Sequence, residues 1–324
     1  MTGPARTMYA MRATGPDPAR LTGERIPVPE PGTGEVLVEV HATAVTAYEL
    51  TWPDTWPVIP CHDMSGVVVE SGGGVTDWPP GAEVYGLVGF DRPGAAAEYV
   101  TVPAADLAAR PVAANHEEAA ALPLGALTAW QALHDHAEVQ PGQHVLVHGG
   151  AGGVGAYAVQ LAAAHGARVA ATASARDRDF VAGLGAAEVI DYSDRFEDQV
   201  GDVDVVIDPV GGDVLARSWP VLRQGGILVA IADEPTSLKA AAATCAPLIS
   251  SSDPTAASCG NWPPSSITTS SAPPSPSPSS SATYPQPSAP NSSAPVRQAK
   301  WLFASTAQRT RSKAIKRQAE LHRD

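Results

Sequence analysis

Cysteine is scarce in this chain. Three in 324 residues, Cys61, Cys245 and Cys259, make no disulfide framework and fit a cytoplasmic protein. No run of about 18 apolar residues occurs, so nothing reads as a membrane-spanning helix. The opening stretch MTGPARTMYAMRA has no apolar signal core, and Met8 and Met11 are alternative starts where strand-like sequence begins. Aromatics are only 6% and charged residues 17%, which leaves a core built from Ala, Val and Gly. Cations are in deficit: 21 Lys and Arg against 34 Asp and Glu give a net charge of −13. That balance argues against nucleic acid and anionic membranes and leaves a small molecule as the expected partner. The deficit is uneven. Residues 241–324 hold three acids and eight Lys or Arg, a net of +5, so residues 1–240 carry −18.

Along the chain, the hydrophobic period changes once and then fails. GEVLVEVHATAV (34–45) alternates Val36, Val38 and Val40 against Leu37, Glu39 and His41, a strand pattern. SGVVVESGGGV (65–75), PPGAEVYGLV (79–88) and AAAEYVTVPAADLAARP (95–111) continue it as short strands between Gly and Pro turns. Near residue 117 the pattern becomes helical over EEAAALPLGALTAWQALHDHA (117–137), and Pro123 is expected to break that helix in two. His134 and His136 lie two apart, share no helix face, and read as solvated. Apolar strands then alternate with helices: strands at 144–149, 167–173, 186–192, 202–212 and 225–232, with helices at 152–166 and 177–185. This alternation predicts an α/β fold with a doubly wound parallel sheet. The expected division is a β domain over 1–117, a dinucleotide-binding domain over 118–240, and an atypical tail over 241–324. The tail is Ser/Pro/Ala/Thr-rich, has no sustained period, and is expected to be disordered.

The most specific motif is Gly150-Ala151-Gly152-Gly153-Val154-Gly155, a GxGxxG between a strand and a helix. One glycine allows the tight turn, another lets backbone approach a pyrophosphate, and the third lets helix pack on strand. The helix N-terminus offers N–H groups and partial positive charge to phosphate. A plain flexible turn is the alternative, but the surrounding strand–helix repeats supply the context that dinucleotide binding requires. Cofactor choice is read from the next strand, which ends Thr172-Ala173-Ser174 with no acid about 20 residues beyond the turn to hold ribose hydroxyls. Ser174, Arg176 and Arg178 suit a 2′-phosphate, so NADPH is expected. Alternatively the two arginines are surface residues blunted by Asp177 and Asp179.

AAALPLGALTAWQAL (119–133), VLVHGGAGGVGAYAVQLA (145–162), LGAAEVIDY (184–192) and VVIDPVGG (205–212) together resemble the quinone oxidoreductase-like, zinc-independent branch of the medium-chain dehydrogenase/reductase superfamily. PGTGEVLVEVHATAV (31–45) and GAAAEYVTVPAADLA (94–108) fit it too. The resemblance implies a GroES-like β domain, a Rossmann domain, an active site in the cleft between them, and quinones, enones or other activated alkenes as substrates. It implies Thr128 as a contact to the nicotinamide carboxamide, Thr46 where many relatives carry an Asn near the nicotinamide ribose, and Tyr192 near the adenosine phosphate. The turn Asp208-Pro209-Val210-Gly211 is expected to pass close to the cofactor. The bland counterparts are a helix-cap Thr, a strand-end Tyr and a simple turn. Tyr48 and His62 are the candidate proton donors, though a reduced quinone can take its proton from water. No metal is expected. The zinc-ligand positions fall in Thr46-Ala47-Tyr48-Glu49 and near Leu124, and only Pro60-Cys61-His62-Asp63 echoes a ligand, which is no tetrahedral set. The stretch 48–60 is shorter than the family's loop there.

Relatives continue past the strand at 225–232 with a helix, a last Rossmann strand and a return to the β domain, and they usually form homodimers along that edge. None of this is readable after residue 240. Ser, Pro, Thr and Ala all have codons with C in the middle position, so a shifted frame of a GC-rich gene would give such a tail; a genuine low-complexity tail is the alternative. A poorly dimeric, weakly active chain is the expected consequence. Two other readings stand beside the reductase: an NADPH-binding protein without turnover, and an enoyl-thioester reductase.

Overall fold

The computed structural model describes residues 6–46 and 49–232, and the backbone alone at Ala246–Pro247 and Thr268–Ser271. The chain divides into two compact units, with the change between Leu127 and Thr128.

The first unit is antiparallel β structure. Strands β1 (Thr7–Ala13) and β2 (Leu21–Pro27) form a hairpin. Strands β3 (Glu35–Ala44), β4 (Asp63–Ser71), β5 (Glu83–Leu87), β6 (Tyr99–Pro103) and β7 (Leu107–Ala109) form one sheet in the order β6-β3-β4-β5-β7. Val36, Val38, Met64, Val68, Val84 and Val102 are fully buried and make its core. The period-two reading of β3 is interrupted at one point. Leu37 is buried beside Val36 and Val38, because the pairing of β3 with β4 shifts register between Leu37 and Val38.

Two helices follow. Helix α1 (His116–Ala119) starts in a reciprocal capping box: Asn115 accepts from the Glu118 N–H, and Glu118 accepts from the Asn115 N–H. Helix α2 (Pro123–Trp130) has the proline as its first residue, where the missing N–H costs nothing. Pro123 therefore divides the helical stretch as the sequence predicts. Beyond it, Gln131–His136 widens to a π-helix. The His134 ring lies tilted 4.1 Å from the exposed Trp130 ring, whereas the expectation of a solvated histidine fails at His136, where burial pushes the ring down to about 4.

The second unit is built on β8 (His144–Val147), β9 (Arg168–Ala173), β10 (Glu188–Asp191), β11 (Val203–Asp208) and β12 (Leu222–Ala230), all parallel, in the order β10-β9-β8-β11-β12. That is the doubly wound order, reversing beside the first strand. Helices α3 (Gly155–Ala164), α4 (Arg178–Gly183) and α5 (Asp213–Ser218) connect the strands. Leu146, Val206, Leu228 and Ile190 are buried between layers. At the β12 edge, expected to be open, the backbone of Thr268–Ser271 pairs antiparallel with Ile227–Ala230. The other expectations for the tail fall on residues outside those described.

Candidate active site

Strands β8, β9, β10 and β11 end on one edge of the second unit, the edge at which a doubly wound sheet receives its ligand. At the end of β8, Gly149 takes φ +59°, and its N–H donates to Thr172 Oγ1 at 3.0 Å. The Gly150 N–H donates to the Thr172 carbonyl at 2.8 Å, which ties the glycine-rich turn to β9. The Gly152 N–H folds back to the Gly149 carbonyl at 2.7 Å. Gly153 and Val154 complete the turn, and α3 begins at Gly155 with no side chain capping its N-terminus. A Cβ on Gly155 would stand 2.2 Å from the Gly149 oxygen, so only glycine lets the helix come this close to the strand.

The other strand ends bring the remaining candidates to the same edge, with some changed in role. Ser174 follows β9, and its hydroxyl donates to Asp177 Oδ2 at 2.6 Å. Asp177, the acid that the sequence sets beside Arg176, is buried and within reach of this strand end. Arg176 is 59% exposed in its side chain and stands 3.6 Å from the Asp177 carboxylate. Arg178 turns to the Val189 carbonyl at 2.5 Å. Tyr192 follows β10, is 65% exposed, and its N–H donates to the Ala173 carbonyl at 2.9 Å. After β11, Asp208 Oδ1 accepts from the N–H groups of Val210 and Gly211 at 2.9 and 3.0 Å. That closes a turn in which Gly211 has φ +75° and Val210 stays half exposed. A Cβ on Gly149 would meet Val210 Cγ2 at 3.1 Å, so the two turns lie side by side. Thr128, in α2, is buried.

In the first unit, Glu49 is a buried carboxylate that accepts from the Thr46 N–H at 3.1 Å and the Cys61 N–H at 2.5 Å. The backbone at Thr46 and Cys61 is thereby pinned to one side chain. Cys61 is buried at φ +71°, and burial, with the charges of Glu49 and Asp63, pushes its thiol well above the usual range. The His62 ring lies 4.6 Å from Phe90, with Nδ1 3.0 Å from the Val88 carbonyl. Burial lowers its pKa and favours the neutral ring. Asp63 Oδ1 accepts from the Leu124 N–H at 2.6 Å. Tyr48 lies outside the described residues.

Comparison with known proteins decides the family. Residues 32–112 match the alcohol dehydrogenase GroES-like domain, and residues 153–250 match the zinc-binding dehydrogenase model. A probable zinc-binding mitochondrial oxidoreductase of Arthroderma benhamiae is 34% identical over 68% of this chain and 73% of its own length. The chain belongs to the medium-chain dehydrogenase/reductase superfamily. Within that superfamily it is quinone oxidoreductase-like. The solved quinone oxidoreductase of Coxiella burnetii superposes with a TM-score of 0.65 at 35% identity, covering 68% of this chain and 74% of that one. A chloroplastic NADPH-dependent alkenal/one oxidoreductase of Arabidopsis thaliana is 36% identical over 64% of this chain, which spans only 57% of that relative. This medium-chain dehydrogenase/reductase is therefore an oxidoreductase of a family that binds nicotinamide cofactors.

Two features of this family member escape the residues read one by one. His148 and Glu49 are both buried and hydrogen-bonded. His148 had a local signal, a polar residue ending an apolar strand, since such a group must find partners when buried. Glu49 had none, because its partners are backbone groups set by the fold.

Proposed function

We propose that this chain is an NADPH-dependent oxidoreductase that reduces a quinone, enone or similar activated alkene without a metal. The observation that carries the reading is the glycine-rich turn, where helix and strand approach so closely that a Cβ at Gly155 would meet backbone at 2.2 Å. The uncapped start of α3 is the partially positive terminus that a pyrophosphate needs. Arg176 is the cation that supports NADPH over NADH. It is exposed at a strand end where the Ser174 hydroxyl is already turned to Asp177. Tyr192 and Val210, exposed at the same edge, would flank the bound dinucleotide.

NADPH, when bound, supplies a hydride to an electrophilic carbon. The chain's own contribution is position. Glu49 holds the backbone at Thr46 and Cys61, and the Asp208 carboxylate fixes the turn at Val210 and Gly211. His62, favoured as a neutral ring with Nδ1 at the Val88 carbonyl, would serve as a polar wall rather than a cation. The donor set does not suit zinc. Asp63 is bonded to backbone, and among the described residues no group of three His, Cys, Asp or Glu could hold a metal. The test is steady-state NADPH oxidation with a panel of quinones and enones in the presence of a chelator. Turnover that survives the chelator is expected. No turnover with any acceptor, or loss of it on chelation, would refute the reading.

A further inference from the structure

His148 closes β8 at the foot of the glycine-rich turn, and its bonds determine where each proton lies. Ser218 Oγ is 2.7 Å from the Val214 carbonyl, an atom that only accepts, so the Ser218 hydroxyl proton is committed there. Ser218 Oγ, 2.8 Å from His148 Nε2, must then accept from an Nε2–H. In a neutral ring this leaves Nδ1 bare, and the Thr172 hydroxyl 3.2 Å away donates to it. The lone pair left on Thr172 Oγ1 accepts the Gly149 N–H at 3.0 Å. The chain runs in one direction, from Gly149 through Thr172, His148 and Ser218 to the Val214 carbonyl in α5. Each link fixes the next.

The ring is well placed to hold this order. It packs edge-on against Phe196 with centroids 4.7 Å apart, and His148, Thr172 and Ser218 are all buried. Burial pushes His148 down to about 3, so it stays neutral across the working range. It joins the turn at Gly149, through Thr172, to the C-terminal end of α5, the helix that follows the Asp208–Gly212 turn. Gly149 also abuts Val210 directly.

We propose that His148 is a positioning residue for the dinucleotide, a neutral hub that holds the backbone of the glycine-rich turn against β9 and α5 through Thr172 and Ser218. It touches no reacting atom. The inference rests on the dinucleotide-binding reading above. It makes a demand that a purely structural hydrogen bond would not: cutting the chain at Ser218, remote from the turn, must loosen the turn itself.

The experiment measures NADPH dissociation constants by quenching of tryptophan fluorescence, together with unfolding temperatures, for the wild type, Ser218→Ala, Thr172→Val and Thr172→Ser. Loss of one buried neutral hydrogen bond predicts NADPH affinity weaker by roughly three- to tenfold in Ser218→Ala and Thr172→Val. The loss should appear in the dissociation constant and KM rather than in kcat. Thr172→Ser keeps the hydroxyl and should restore wild-type affinity. Ser218→Ala and Thr172→Val that lower the unfolding temperature but leave affinity unchanged would overturn the inference, as would Thr172→Ser as weak as Thr172→Val. Because these variants remove single small groups, they test the hub even if His148→Leu does not fold. Failure of the wild type to bind NADPH would instead overturn the reading beneath it.

Discussion

Gly155→Ala is the sharpest perturbation available. The added Cβ would stand 2.2 Å from the Gly149 oxygen, 2.8 Å from the Gly149 carbonyl carbon and 3.1 Å from the His148 oxygen. All three are backbone atoms, so no side chain can swing away. Reaching ordinary contact means parting α3 from the end of β8 by about 1 Å, and overpacking of this kind costs about 1–3 kcal/mol. At roughly 2–4 °C per kcal/mol for a body of this size, the unfolding temperature should fall by roughly 2–12 °C. Affinity should suffer more than stability, since a shift of about 1 Å in a positioning element can cost on the order of a hundredfold. Gly183→Ala in α4 is the control. Its Cβ meets nothing within 4 Å, and a helical glycine gains roughly 0.5–1 kcal/mol on replacement by alanine. Thermal melts and NADPH titrations of both variants decide the matter. Gly155→Ala with wild-type melting and wild-type affinity would refute the close-approach argument.

Three further outcomes follow from particular residues. Arg176→Ala should weaken NADPH binding by roughly tenfold or more while leaving NADH nearly unchanged, the loss of a charged hydrogen bond to a 2′-phosphate; titration of both cofactors reads it, and an equal loss for both would exclude Arg176 from that contact. His148 and His136 are pushed to about 3 and about 4, His148 chiefly by burial and further by Arg217 against an opposing Glu197. Between those values and about 6.5 the unfolded chain binds protons that the folded chain refuses, so stability should fall as pH drops through this window. Urea midpoints at neutral and mildly acid pH would show it, and a flat profile would contradict it. Finally, another frame of the gene read from codon 240 should encode an apolar helix–strand pattern; sequence without one would dismiss the frame-shift account of the tail's composition.

Both domains were legible in the sequence because their signals are local. Valines at alternate positions mark β3, and the glycines of 150–155 sit between an apolar strand and an Ala-rich helix whatever else surrounds them. What escaped depends on partners distant in sequence. Leu37 looked outward until a register shift in β3 buried it. Ser174 read as a phosphate contact because nothing in the sequence shows its hydroxyl turned to Asp177. The His148 chain joins residues 24 and 70 positions away, pairings that only a folded sheet creates.

One measurement bears most directly on the central claim. The chelator-treated protein is incubated with NADPH carrying deuterium at the transferable C4 position and with a simple enone, and the product is weighed by mass spectrometry. Direct transfer predicts a saturated ketone heavier by about one mass unit, with the label on carbon. Product without label, or no product while NADPH still binds, would contradict the account.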